Sequence, residues 1–254
     1  MMSMQTISPA YRFWLQVRSA IFWVWLILTT VVFAIPALLG TLVSFEFAYK
    51  ICKVWIAVNI LGLKYICGVS WEVKGQEHIP DKACLILSKH QSTWETFFLA
   101  HHLKHVLFVA KRSLSFIPIF GWMIKLLGFV MIDRKAGRSA IQQMTEQARE
   151  LIAKNRWIVV FPEGTRMPIG AEPSYRIGGM KVSADTQIPI LPVAVNSGEF
   201  WPRMGFIKWP GTITVIFGPL IHPGNKTPDA IREEVQAWIE GEMEKITVKD
   251  RFPY

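Results

Sequence analysis

From residue 19 to residue 45 the chain carries no charged side chain, and residues 20–39 are almost wholly apolar. A helix of that length can cross the ~30 Å hydrocarbon core of a bilayer. The run is too long for a signal peptide, and no small-residue cleavage site follows it. A second apolar segment, residues 47–69, carries Lys50, Lys53 and Lys64. Cations in such a segment predict a helix lying among lipid headgroups, or one whose lysines reach up to them. The front of the chain is therefore either one span plus an interfacial helix or a two-helix hairpin dipping into one leaflet. Pro36 can kink the first helix and favours the hairpin. A net charge of +9, with 11 Trp and 16 Phe, fits an anionic membrane surface. Nucleic acid would also attract that charge, but no motif for it is present, and none is expected as a partner. The three cysteines, Cys52, Cys67 and Cys84, show no metal-ligand spacing and read as reduced thiols of a cytosol-facing protein.

Near residue 70 the pattern changes. Short β-rich runs at 71–73, 84–88, 106–110, 129–132, 157–161, 190–195 and 212–217 alternate with amphipathic stretches. Ile141, Met144, Ala148, Leu151 and Ile152 recur at helical spacing. Thr227-Pro228-Asp229 opens a last helix, with Ile231, Val235, Trp238 and Ile246 as its apolar stripe. This alternation predicts an α/β fold whose mostly parallel or mixed central sheet is flanked by helices. The expected division is a membrane-anchoring helical segment, 1–69, followed by an α/β domain, 70–254. In 188–194 the two prolines, Pro189 and Pro192, predict a short or bulged strand that shapes a wall or an acyl groove.

Two short motifs carry candidate chemistry. His90-Gln91-Ser92-Thr93-Trp94-Glu95 follows a predicted strand, where open α/β sheets place their ligands. An imidazole accepts a proton near neutral pH, and a carboxylate on its second nitrogen fixes the tautomer. The same residues also fit a capping box, in which Glu95 bonds the backbone of Ser92. The remaining histidines, His101, His102 and His105 near a helix end and His78 and His222 beside prolines, are weaker candidates. Phe161-Pro162-Glu163-Gly164-Thr165-Arg166 ends another buried strand in a turn with exposed N–H groups and a guanidinium suited to phosphate. Its alternative reading is an ordinary turn with Arg166 paired to Glu163. Between residues 104 and 138, Lys104, Lys111, Arg112, Lys125, Arg134, Lys135 and Arg138 face a single acid, Asp133, around the apolar run 116–123. Cations beside apolar side chains suit an amphiphile with an anionic head.

These blocks, in this order, resemble the phospholipid-biosynthesis acyltransferases related to 1-acylglycerol-3-phosphate acyltransferase. His90 matches the histidine of that family's His-x4-Asp motif, with Glu95 where the family usually has Asp. Lys111, Leu114, Pro118, Gly121, Gly128 and Arg134 match the second block, with Ser113 in place of a Glu. Glu163-Gly164-Thr165-Arg166 matches the third throughout, Gly178 follows Tyr175 and Arg176 as the family's glycine follows a basic aromatic stretch, and Pro189 and Pro192 match the fourth. The resemblance covers roughly residues 70–220. It implies acyl transfer from acyl-CoA or acyl carrier protein to lysophosphatidic acid, with no metal and no cofactor. His90 would act as base and Glu95 as its orienting carboxylate, while Lys111, Arg134, Glu163, Gly164, Thr165 and Arg166 form the phosphate site. It also implies a bacterial inner membrane, with the catalytic domain on the cytoplasmic side. Rival expectations are another acceptor (glycerol 3-phosphate, a lysophospholipid or a lyso-aminolipid) and a non-catalytic protein that binds anionic lipid.

Overall fold

The computed structural model of the protein describes residues 7–117, 120–133 and 136–248, so Pro118, Arg134 and Lys135 lie outside the described residues. The apolar front forms two helices, α1 (Pro9–Val43) and α2 (Phe45–Gly62), joined by Ser44. Ser44 is extended (φ −168°, ψ 158°), and its hydroxyl caps α2 by accepting the Phe47 N–H. Pro36 lies within continuous α1. The pair is an antiparallel hairpin. Thr29 Oγ1 donates to Asn59 Oδ1 at 3.0 Å in its buried seam, and Gly40 and Gly62 lie where a Cβ would press on Ala48 and on the Trp25 indole.

α2 lies along the α/β domain from end to end. At its start, His105 Nε2 meets Glu46 Oε2 at 2.7 Å and the Tyr49 hydroxyl accepts the Val106 N–H at 2.7 Å. In its middle, Lys53 Nζ donates to the Leu103 carbonyl at 3.1 Å and Trp55 meets Phe97 edge-on. Towards its end, Ile56, Ile60 and Leu63 enter one buried cluster with Phe22, Leu85, Ile86 and Leu107. The hairpin thus shares the core of the α/β domain. α1 turns its other face outward, exposing Ile21, Val24, Ile27, Leu28, Val31 and Val32 among others.

The seven predicted strands all form: β1 (Val69–Lys74), β2 (Leu85–Ser88), β3 (Val106–Lys111), β4 (Val130–Ile132), β5 (Trp157–Val160), β6 (Ile190–Val195) and β7 (Gly211–Phe217). They make one sheet in the order β1-β7-β6-β2-β5-β3-β4. β6, β2, β5, β3 and β4 run parallel, while β7 is antiparallel to β6 and β1 follows β7. Five strands therefore end at the same edge. The run with two prolines forms a full six-residue interior strand, not a short one, with Pro189 just before it and Pro192 within it. Pro192 is tolerated because its carbonyl accepts the Gly218 N–H, so its missing donor faces a position where β7 has already ended. Helices α3 (Trp94–His102), α4 (Phe120–Leu126), α5 (Arg138–Ala153), α6 (Gly178–Thr186) and α7 (Pro228–Ile246) complete the domain. α5 buries Ala140, Met144, Ala148 and Leu151, and α7 buries Ile231, Val235, Ile239 and Met243. Trp238 and Ile246 are half-buried.

One loop ties the sheet back to α1. Lys208, 1% exposed, donates its backbone N–H to Ser19 Oγ at 2.9 Å. Its ammonium lies over the rings of Trp23 and Trp201 and donates to the Gly205 and Phe206 carbonyls. Burial pushes this lysine down from 10.5 to about 8.

Candidate active site

β2 delivers Lys89 and His90 to the shared edge, and α3 begins four residues after His90. Glu95, in the first turn of α3, is 1% exposed and turns back across the helix start. Its Oε1 takes the Gln91 N–H at 2.9 Å, the Ser92 N–H at 2.8 Å and His90 Nδ1 at 2.8 Å. Its Oε2 takes the Ser197 hydroxyl at 2.6 Å. Capping and imidazole orientation, alternatives in the sequence, are thus done by one carboxylate at once. An oxygen already receiving two backbone N–H groups acts as an acceptor, so the proton between it and the ring belongs on Nδ1. That leaves a lone pair on Nε2. The ring stacks on Phe161, just past the end of β5, at 3.8 Å and 14°, which fixes its plane.

The two motifs, far apart in sequence, interlock across neighbouring strands β2 and β5. Glu163 Oε2 accepts the His90 N–H at 2.8 Å, the Met167 N–H donates to the His90 carbonyl at 2.7 Å, and Arg166 Nη1 donates to Thr93 Oγ1 at 2.9 Å. Arg166 is thus bonded to Thr93 rather than turned onto Glu163. Glu163 itself, grouped with the phosphate set from sequence, has a side chain with 0% exposure and reaches Lys89 Nζ with Oε1 at 2.7 Å. Lys89 also reaches Glu240 Oε1 of α7 at 2.8 Å, and the Tyr175 hydroxyl donates to the same oxygen at 2.8 Å. Burial raises the Glu163 carboxyl above its usual range, and the Lys89 ammonium opposes that rise.

Gly164 holds a left-handed φ of +70°, and a Cβ there would press on the Arg176 side chain, so the turn requires glycine. Its N–H is spent on the Phe161 carbonyl at 3.0 Å and closes the turn instead of facing outward, contrary to the exposed N–H expected there. Thr165 is exposed beside it. Lys111 is exposed at the end of β3, two strands from β2, or about 10 Å across the sheet at normal strand spacing. Arg134 lies outside the described residues. Lys89, Ser197 and Glu240 join the site without a sequence motif of their own, and Tyr175 joins it from the basic aromatic stretch ahead of Gly178. Adjacency to His90 and the end of β6 are the only signals for the first two. Among the described residues no group of three or more His, Cys, Asp or Glu forms a metal-binding cluster. His105 and His78 serve structure, at 2.7 Å from Glu46 and 2.9 Å from the Phe217 carbonyl.

Ser197→Ala removes one of four donors to Glu95 and leaves its Oε2 buried. A hydrogen bond to a charged group is worth ~1.5–3 kcal/mol, so any reaction that uses His90 as its base should slow roughly ten-fold or more. Ser197→Thr, which keeps a hydroxyl, should retain most of the rate; initial rates of the two variants check this.

The sequence model of one family, Acyltransferase, matches residues 70–196. Over 213 residues the chain is 38% identical to the 1-acyl-sn-glycerol-3-phosphate acyltransferase of Pseudomonas aeruginosa, covering 82% of this chain and 83% of that protein. It is 32% identical over 144 residues to the 1-acyl-sn-glycerol-3-phosphate acyltransferase alpha of Ovis aries, covering 56% of this chain and 50% of that one. Among solved structures, the crystal structure of the 1-acyl-sn-glycerophosphate (LPA) acyltransferase PlsC from Thermotoga maritima superposes with a TM-score of 0.76 over 94% of this chain and 100% of that one. At 21% identity that likeness is one of fold. The matched domain contains His90, Glu95 and the whole Glu163–Arg166 turn, and with a relative this similar over most of both lengths the chain belongs to the acyltransferase family.

Proposed function

We propose that the protein transfers a fatty acyl group from acyl-CoA or acyl carrier protein to the free hydroxyl of 1-acylglycerol 3-phosphate, forming phosphatidic acid. The observation that carries this reading is the His90–Glu95 pair, set against the glycine turn that ends in Arg166. The relatives' names supply the acceptor. His90 Nε2 takes the proton of the glycerol hydroxyl as its oxygen attacks the thioester carbonyl carbon. The tetrahedral intermediate collapses, the C–S bond breaks, and the imidazolium returns the proton to the departing thiolate. Glu95 holds the ring and stabilises its charged form, with Ser197 and two backbone N–H groups holding Glu95. Arg166 and Lys111 hold the phosphate by charge-assisted bonds, joined by Arg134. Glu163, turned inward, positions His90 through its backbone. The transfer passes directly from sulfur to oxygen, and its acid–base steps call for neither metal nor redox cofactor.

The same reading places the protein on the cytoplasmic face of a bacterial inner membrane, where thioester donors are found. Since α2 touches the α/β domain at both ends, the hairpin lies against that domain and dips its α1 face into one leaflet rather than crossing. That keeps the strand ends at the membrane surface, where lysolipid and product partition.

Initial rates on lysophosphatidic acid, glycerol 3-phosphate and lysophosphatidylcholine, with purified protein and either donor, test the acceptor. Lysophosphatidic acid should be preferred by at least about ten-fold in kcat/KM over lysophosphatidylcholine, whose phosphodiester loses one charge-assisted contact, and should also be preferred over glycerol 3-phosphate, which lacks the acyl chain. A higher value on either other acceptor would move the protein to that substrate.

A further inference from the structure

The buried links behind His90 run on into the last helix. Glu163, which accepts the His90 N–H with Oε2, is paired through Oε1 with the Lys89 ammonium at 2.7 Å. Lys89 in turn donates to Glu240 Oε1 of α7 at 2.8 Å, and the Tyr175 hydroxyl donates to that same oxygen at 2.8 Å. Glu163, Lys89 and Tyr175 are buried, and Glu240, 25% exposed at its side chain, is the outer post of the row. Its helix holds that post still. α7 buries Val235, Ile239 and Met243 around it, and its far end is tied to the segment after β6. There Asn196 Nδ2 donates to the Ile246 carbonyl at 2.9 Å, and the Val248 N–H donates to Glu199 Oε1 at 3.2 Å. Asn196 and Glu199 lie on either side of Ser197, whose hydroxyl holds Glu95. Both members of the His90–Glu95 pair are thus tied to one helix, His90 by way of Glu240 and Glu95 by way of the Ser197 segment.

We propose that Glu240 is a positioning residue for the reaction, acting on His90 through Lys89 and Glu163. The role rests on the acyl-transfer reading above and extends it to a helix beyond the matched family domain, which ends at residue 196. Lysine carries its charge on a flexible four-carbon stem, so a single carboxylate would leave the Lys89 ammonium free to swing. A second carboxylate, itself held by Tyr175 on a packed helix, pins the ammonium between two fixed anions. Glu163 then stays where the His90 N–H needs it. A base works only from the place where its substrate's proton lies, and a displacement of about 1 Å can cost roughly 10²-fold in rate. Losing Glu240 leaves every bond to Glu95 in place but lets the main chain at His90 shift, so turnover falls while binding holds. The fold should tolerate the change, because Lys89 keeps Glu163 as a partner and the apolar face of α7 is untouched.

Glu240→Ala, Glu240→Gln and Tyr175→Phe should be compared with the wild type as full chains in detergent, by melting curves and by kcat and KM for lysophosphatidic acid and acyl-CoA. Glu240→Ala should lower kcat about ten-fold and leave both KM values within about two-fold. Glu240→Gln, whose amide oxygen still accepts from Lys89 and Tyr175, should recover part of the loss. Tyr175→Phe should show a smaller loss in the same direction, and these two near-isosteric changes carry the test where alanine lowers the melting point. NMR of protein labelled at its histidine nitrogens reads the base directly. The His90 Nδ1–H resonance, identified by its absence from His90→Ala, should shift or broaden in Glu240→Ala. A kcat within about two-fold of the wild type in Glu240→Ala overturns the inference. So does a loss of turnover with that resonance unmoved, the mark of a general structural defect. Normal product formation by Glu240→Ala with the resonance unmoved rejects the positioning role and keeps the reaction. A resonance that moves in Glu240→Ala, in a protein whose wild type acylates none of the acceptors, keeps the positioning role and rejects the reaction.

Discussion

His90→Ala is expected to lower acyl transfer by roughly 10²–10⁴-fold, the usual contribution of a positioned general base. The glycerol hydroxyl is a poor nucleophile until its proton has somewhere to go, and Nε2 is the lone pair at the strand ends left over by the bond to Glu95. The fold should survive the change. The ring lies against Phe161 with a side chain 16% exposed, while the bonds that join the two motifs run through the His90 backbone N–H and carbonyl, which alanine keeps. The variant should therefore keep its thermal midpoint and its binding of lysolipid while losing turnover. Initial rates of phosphatidic acid formation beside a melting curve check both halves. Glu95→Gln should lie between the two proteins, since the amide oxygen still accepts from the Gln91 and Ser92 N–H groups and the NH2 can donate to Ser197, but an amide cannot balance an imidazolium.

Lys89→Met should destabilise the protein by about 3–5 kcal/mol, the cost of stripping one partner from a buried ion pair. Lys89 is 5% exposed at its side chain and stands between Glu163 at 0% and Glu240 at 25%, at 2.7 and 2.8 Å. Without the ammonium, two carboxylates face each other under the base, and the Glu163 oxygen that holds the His90 N–H is pushed towards protonation. The pH dependence follows in sign. Burial already raises Glu163 above its unfolded value, and removing Lys89 raises it further. A raised acid keeps its proton longer in the folded chain. Its favourable contribution is thus fully present below the unfolded pKa and is lost as pH rises through the folded one. The gap in melting temperature between Lys89→Met and the wild type should therefore narrow as pH falls from neutral towards the acid range. Glu163→Gln added to Lys89→Met should recover part of the loss at neutral pH. A gap that widens on acidification would contradict this assignment.

Most of the scaffold was legible in the chain because alternation and period speak locally. All seven strands form within a residue or two of their predicted places, and the α5 and α7 stripes face the core. What stayed open were features set by distant partners. How the apolar front sits against the α/β domain is set by Glu46, Tyr49 and Lys53, whose partners His105, Val106 and Leu103 lie 50 to 59 residues on. Pro192 reads as a strand breaker until the end of β7 shows where its missing donor points. Around His90 the motifs named residues but not their orientations. Arg166 bonds Thr93 rather than Glu163, Glu163 faces inward to Lys89, and the Gly164 N–H closes its own turn. Ser197 has only its place just past β6 as a signal and Glu240 has none, because pairing of β6 beside β2 and the packing of α7 bring them close to Glu95 and Lys89.

The most direct test follows labelled acyl-CoA through the wild-type protein, first alone and then with lysophosphatidic acid. Direct transfer by a His90 base gives no protein-bound label in the first step and labelled phosphatidic acid in the second. Label bound covalently to the protein before acceptor is added, or lysophosphatidic acid left unacylated with either donor, would contradict it.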